Sequence, residues 1–149
     1  RAARRSGVSG VIVPDVPVDE SAPLRACALR AGVSPILLAA PTSPPDRLRA
    51  VARASDGFIY YVSVLGTTGA RRQLPPTLVH GVRQLRVLTT KPICVGFGIS
   101  TASQAARVAA IADGVIVGSA LIQAMQRARG PRAAVRAAAA FVRRLRQAM

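Results

Sequence analysis

The sequence contains no tryptophan and only two tyrosines and three phenylalanines. That is too few aromatic faces to build a base-stacking platform for nucleic acid. Lysine occurs once, at Lys91, and six acidic residues stand against 21 basic ones, leaving a formal net charge of +15. Such a balance attracts polyanions through a non-specific field. The arginines, however, sit singly or in pairs (Arg4-Arg5, Arg71-Arg72, Arg143-Arg144) among alanines, mostly where helices are expected. A solvated arginine-rich surface is therefore expected, and nucleic-acid binding is not. Cys27 and Cys94 are far apart, with no histidine or second cysteine beside either; this is neither metal-ligand spacing nor a disulfide framework. No apolar run approaches the ~20 residues that span a bilayer. Arg1-Ala2-Ala3-Arg4-Arg5 leads directly into a strand-like segment without an apolar h-region, so no signal peptide is read there. The first residue is not methionine, and the start need not be a natural one. The expectation is a soluble, cytoplasmic protein without a metal.

What is present is a chain of 149 residues, half of them hydrophobic, enough for one domain with a real core and too few for two. Five short apolar runs recur along it: Val11–Val13, Ile36–Ala40, Phe58–Val62, Pro92–Val95 and Val115–Val117. Continuous rather than alternating apolarity marks strands buried on both faces, as in parallel sheets. Between them lie segments with helical spacing. Asp19 or Ser21 is expected to cap a helix reaching about Arg30, and Asp46 to Ala54 reads as a second. Pro75-Pro76 opens a third, since proline fits a first helical turn, and Ser100 or Thr101 caps a fourth. Ser119 starts a short helix, and Pro131 a last one with Val135, Ala138, Val142 and Leu145 on its inner stripe. Five consecutive β-α units mean a parallel sheet with right-handed crossovers. Periodicity leaves two architectures open, an open doubly wound sheet or part of a (β/α)8 barrel.

In either architecture the working residues lie at the carboxyl ends of strands. Three such ends are glycine-rich: Gly66-Thr67-Thr68-Gly69 after the third run, Gly96-Phe97-Gly98-Ile99-Ser100 after the fourth, and Gly118-Ser119-Ala120 after the fifth. Glycine lets the backbone approach a ligand and take positive φ, and a helix start adds free N–H groups with a positive dipole end, which suits a phosphate. Gly98, Gly118 and Ser119 are the expected donors. At the first strand end, Val13-Pro14-Asp15-Val16-Pro17-Val18-Asp19-Glu20-Ser21 holds three of the six acids. Asp15 is either an acid/base or a loop-capping carboxylate, while Asp19 and Glu20 suit the dipole of the next helix. Tyr60 and Tyr61 point to opposite faces of their strand, so one faces the pocket. His80, the single histidine, falls within an outer helix and is not expected to be catalytic. Gly96-Phe97-Gly98 is not a dinucleotide fingerprint, because position 101 is threonine.

These segments fall in the order and spacing found in the tryptophan synthase alpha subunit, which the chain resembles from before Val11 to at least Met125. Asp15-Val16-Pro17-Val18-Asp19-Glu20-Ser21 and Gly66-Thr67-Thr68-Gly69 are specific to that family. The other two motifs are shared with indole-glycerol-phosphate synthase and histidine-biosynthesis barrels. The resemblance implies a partial (β/α)8 TIM barrel, residues 1–149 forming one partial domain with the three N-terminal β-α units missing. It implies a lyase that cleaves indole-3-glycerol phosphate to indole and glyceraldehyde 3-phosphate in tryptophan biosynthesis. Gly69, Gly98, Gly118 and Ser119 would bind the substrate phosphate, with Tyr60 and Phe97 at the pocket and Thr68 on a mobile loop. Asp15 and Pro17 would face the beta subunit, which carries the pyridoxal phosphate; none is implied for this chain. The family's two catalytic carboxylates lie on the missing strands, so the chain alone is expected to be inactive and to serve, as the alternative, as a phosphate-binding or beta-subunit interaction module. A cut barrel exposes two strand edges, so self-association or a complementary fragment is expected.

Overall fold

The computed structural model describes residues 1–63, 74–96 and 98–149. After a single helical turn, α1 (Ala2–Arg5), come β1 (Gly10–Ile12), α2 (Ala22–Arg30), β2 (Ser34–Ile36), β3 (Leu38–Ala39), α3 (Pro45–Ala54), β4 (Ile59–Val62), α4 (Pro76–Leu88), β5 (Ile93–Gly96), α5 (Ala102–Ala109), β6 (Gly114–Ile116), α6 (Ser119–Gln126) and α7 (Pro131–Ala148). Every described strand pairing is parallel: β1 with β2, then β3, β4, β5 and β6 in that order.

β2 and β3 are two halves of one strand, interrupted at Leu37. The Leu37 N–H donates to Ser55 Oγ at 3.0 Å, and that hydroxyl donates in turn to the Phe58 carbonyl at 2.7 Å. One buried serine thus satisfies the amide that the ladder leaves out. Counting the halves as one, the strands lie side by side in chain order with no reversal. A doubly wound sheet needs a point where the order reverses; a barrel series does not. The architecture is five β-α units of a barrel.

Alternation divides the strands into two faces. Leu37, Ala39, Ile59, Tyr61, Ile93 and Val95 join Leu48, Val51, Leu78, Val82, Leu85, Val108, Phe141 and Leu145 of the helices in one buried cluster. Tyr61 is fully buried and is seated against Gly81 of α4, where an added Cβ would collide with its hydroxyl and lie 2.7 Å from Cζ. The carbonyls ending α3 are held by cations, Arg25 Nε to Ala54 at 2.7 Å and Lys91 Nζ to Ala52 at 2.8 Å, the favourable charge for a helix C-terminus. The single lysine is a structural tether. On the opposite end of the sheet from the glycine-rich tips, the Ile93 N–H and Arg86 both reach Asp113 Oδ2 at 2.7 Å.

Two expectations need correction. Neither Asp19 nor Ser21 caps α2 through its side chain. Asp19 and Glu20 form a 3-10 turn, Asp19 pairs with Arg47 at 3.1 Å, and the Ser21 hydroxyl turns back to the Val18 carbonyl. In α7 the buried positions are Phe141 and Leu145, while Val135 is 67% and Val142 50% exposed. Phe141 offers more apolar area than Val142, its neighbour in sequence, so the helix turns that side inward. His80 lies exposed on α4.

Candidate phosphate site at the strand tips

Register fixes which tips are neighbours. Leu38 pairs with Tyr60, Tyr60 with Cys94, and Cys94 with Gly114; one step further, Val62 pairs with Gly96 and Gly96 with Ile116. These rows form the concave inner face. Their side chains interlock through missing ones: Tyr60 lies across Gly96, where a Cβ would collide with its hydroxyl and stand 2.7 Å from Cζ, and Cys94 Sγ lies 2.8 Å from the Cβ position of Gly114. Two glycines therefore make room for two larger neighbours. Tyr60 is the tyrosine that faces inward, and its phenol is carried toward the tip of β5. Burial pushes the Tyr60 hydroxyl up from its ordinary pKa, and burial together with the charge of Asp113 does the same to the Cys94 thiol.

Gly98 and Gly118 each follow by two residues the last paired rung of adjacent strands, Gly96–Ile116. Gly98 adopts φ +77°, a conformation that L side chains rarely take. The next residue, Ile99, is buried and pins the turn to the core. Gly118 caps α6, is exposed, and has nothing within 4 Å of where a Cβ would be. Ser119 opens α6 and is exposed. The amides of Ser119 and Ala120 belong to the first turn, which no intrahelical carbonyl can reach. Together with the helix dipole they favour an anion.

The neighbouring helix start is closed to a ligand. Thr101 Oγ1 accepts from the Gln104 N–H at 3.2 Å, and Gln104 Oε1 accepts from the amides of Ser100 at 2.8 Å and Thr101 at 3.1 Å. This capping box consumes donors that a phosphate would otherwise use. Thr101, not Ser100, is the cap. The Thr-x-x-Gln spacing carried that signal in the sequence, where Gln104 went unread. At the other side, Ser63 closes the β4 tip onto β5, its N–H and its Oγ both donating to the Gly96 carbonyl, at 2.7 and 2.8 Å.

Of the remaining expected residues, Gly69 and Thr68, with the rest of Gly66–Gly69, and also Phe97, lie outside the described residues. Asp15 and Pro17 are exposed on the loop after β1, with a turn closed by the Val16 N–H to the Val13 carbonyl at 3.3 Å. All six acids are described, and none sits on the inner face: Asp56 and Asp113 flank strand beginnings, Asp46 opens α3, and the other three lie in the loop after β1. Among the described residues no cluster of His, Cys, Asp or Glu could hold a metal ion, and no helix is long and apolar enough to cross a membrane. The arrangement is an amide cradle beside an apolar, tyrosine-bearing wall. It can bind an anion beside an apolar face, and among the described residues of that face there is no carboxylate or imidazole.

A family model described as tryptophan synthase alpha chain matches residues 1–149. The tryptophan synthase alpha chain of Gloeobacter violaceus is 49% identical over 144 residues, 96% of this chain and 52% of its own length. That of Geobacter sulfurreducens is 47% identical over 147 residues, 99% and 55% respectively. Among solved structures, the tryptophan synthase a2b2 complex of Pyrococcus furiosus gives a TM-score of 0.85 at 34% identity, over 97% of this chain and 58% of that one. An alpha chain from Legionella pneumophila gives 0.82 at 33% identity, over 98% and 53%. The chain spans about half the length of the curated relatives it matches.

Proposed function

Because the chain belongs to the tryptophan synthase alpha chain family, we propose that its cradle grips the phosphate of indole-3-glycerol phosphate, the molecule whose cleavage to indole and glyceraldehyde 3-phosphate is the family's reaction. The observation that carries this reading is Gly98 at positive φ and Gly118-Ser119 at a helix start, each just past the last paired rung of two adjacent strands, Gly96–Ile116. Gly98, Gly118 and Ser119 supply main-chain donors and Gly69 adds another. By the family resemblance Tyr60 and Phe97 are assigned to the indole side of the pocket and Thr68 to engaging the substrate. Residues 1–149 act as one partial barrel domain.

Cleavage is a retro-aldol-like step that needs positioned acid/base groups, each worth about 10²–10⁴-fold. With all six acids off the inner face, these residues hold the substrate without cutting it; the carboxylates belong to the rest of the family barrel. Asp15 and Pro17, exposed at the same end of the sheet, face the beta subunit, which supplies pyridoxal phosphate in the following step. The protein works in the cytoplasm.

Calorimetric titration with indole-3-glycerol phosphate tests the reading. Binding is expected to weaken at least tenfold in Gly118→Asp, with no indole released by the 149-residue chain. Rescue of a tryptophan auxotroph by these residues unaided would overturn the assignment of the acid/base groups elsewhere. Pull-down with a beta subunit, lost on Pro17→Ala, tests the interface.

A further inference from the structure

Positive charge on α6 and α7 goes unbalanced among the described residues. Residues 114–149 hold seven arginines and no acid. α7 packs chiefly against α5 and α6, and neither helix contributes a carboxylate. Asp113, the acid nearest in sequence, is already engaged by Arg86 and the Ile93 N–H. Neither ion pair of the described residues includes a residue of α6 or α7.

The charge on α7 is also ordered. Arg132, Arg136, Arg143 and Arg146 fall within about 80° of arc around the helix and span about 21 Å along it. All four are exposed, on the side opposite the buried Phe141 and Leu145. Arg144 leaves this line and lies over the Phe141 ring at 6.0 Å. Like charges three and four residues apart repel. Arg132 stands in the first turn, where the helix dipole disfavours a cation and no acid offsets it. A line of anions relieves both at once.

We propose that this stripe binds the phosphate backbone of a nucleic-acid duplex. The planar guanidinium meets phosphate oxygens with two parallel N–H donors. A duplex holds its charges in fixed lines, one per about 1.7 Å of axis, which suits a straight row of cations on a rigid helix. The stripe has no aromatic side chain, so it lacks the stacking faces that a single strand uses. Contact limited to phosphates reads no sequence. The scarcity of aromatics thus argues against base recognition and not against backbone binding. The inference is independent of the cradle at the strand tips.

The test is fluorescence anisotropy of a labelled DNA duplex of about 20 base pairs, titrated with the purified chain at about 50 to 200 mM salt. Four phosphate contacts predict that log K falls against log salt with a slope of about −3.6, alike for unrelated sequences. Arg132→Ala combined with Arg136→Ala removes two contacts, reduces the slope to about −1.8 and weakens binding by about tenfold or more at the lowest salt. Arg49→Ala combined with Arg53→Ala removes the same charge from exposed positions of α3, where Asp46 and the Arg47–Asp19 pair already supply acid. That pair is expected to change affinity by less than about twofold. Alanine suits all four helical positions, and circular dichroism verifies that the helices are retained. Equal losses in the two double variants would overturn the proposal, by making net charge and not the stripe responsible. So would absence of binding at the lowest salt, or tighter binding of a single strand of the same length. A polyglutamate peptide of equal charge that competes as well as unlabelled duplex would also overturn it.

Discussion

Gly81 sits inside α4, and replacing a mid-helix glycine by alanine ordinarily stabilises a protein by about 1 kcal/mol. Here the sign is expected to reverse. An alanine Cβ at position 81 would collide with the Tyr61 hydroxyl and lie 2.7 Å from Cζ and 3.2 Å from Cε2, and Tyr61, fully buried, has nowhere to turn. Overpacking of this kind costs roughly 1–3 kcal/mol, and here it outweighs the propensity gain. Among the described residues the hydroxyl itself has no hydrogen-bond partner, and burial pushes its pKa up to about 12. Leaving a buried donor unpaired costs about 1–3 kcal/mol. Tyr61→Phe is therefore expected to be neutral or stabilising by about 1 kcal/mol, where loss of a bonded tyrosine hydroxyl would destabilise. In the double variant the collision is partly relieved, giving a favourable coupling of about 0.5–3 kcal/mol. Urea midpoints followed by circular dichroism at one fixed protein concentration measure all three variants. A stabilised Gly81→Ala, or strictly additive effects in the pair, would refute the packing argument.

Ser55→Ala is expected to cost about 1–3 kcal/mol, since it strands the Leu37 amide and the Phe58 carbonyl; an unchanged urea midpoint would contradict this. Asp113 is held below the usual carboxylate range first by the Ile93 amide and further by Arg86. A depressed carboxylate contributes stability that is present above its unfolded pKa of about 3.9 and is lost as pH falls through the lower folded value. Acid titration of stability should show that loss below about pH 4, and Asp113→Asn should flatten it. Thr101→Ala should lower stability by about 1 kcal/mol through loss of the cap, while leaving phosphate affinity within about twofold, because Gln104 rather than an anion occupies those amides.

Much of the fold was legible because buried parallel strands and amphipathic helices write different periods into the chain. The runs at Phe58–Val62 and Pro92–Val95 overlap β4 and β5, and Pro131 opens α7 as its fixed φ suggests. Four features were not legible. The break at Leu37 depends on Ser55, 18 residues away, and no local pattern announces such a partner. The inner stripe of α7 was misread because Val142 and Phe141 are both apolar neighbours, and only the packed core chooses between them. At the site, glycine spacing pointed to Gly98 and Gly118, but the reason for Gly96 lies across the sheet in the ring of Tyr60. Strand order likewise exceeded what periodicity carries, since a doubly wound sheet and a barrel share the same β-α beat.

The measurement that bears most directly on the cradle is a titration of the chain with glycerol phosphate, followed residue by residue through amide resonances. Saturable shifts concentrated at Gly98, Gly118, Ser119 and Ala120, abolished by Ser119→Asp, are the predicted result. Shifts scattered over the arginine-bearing helices and removed by salt would instead make the +15 charge, rather than these two tips, the seat of anion binding.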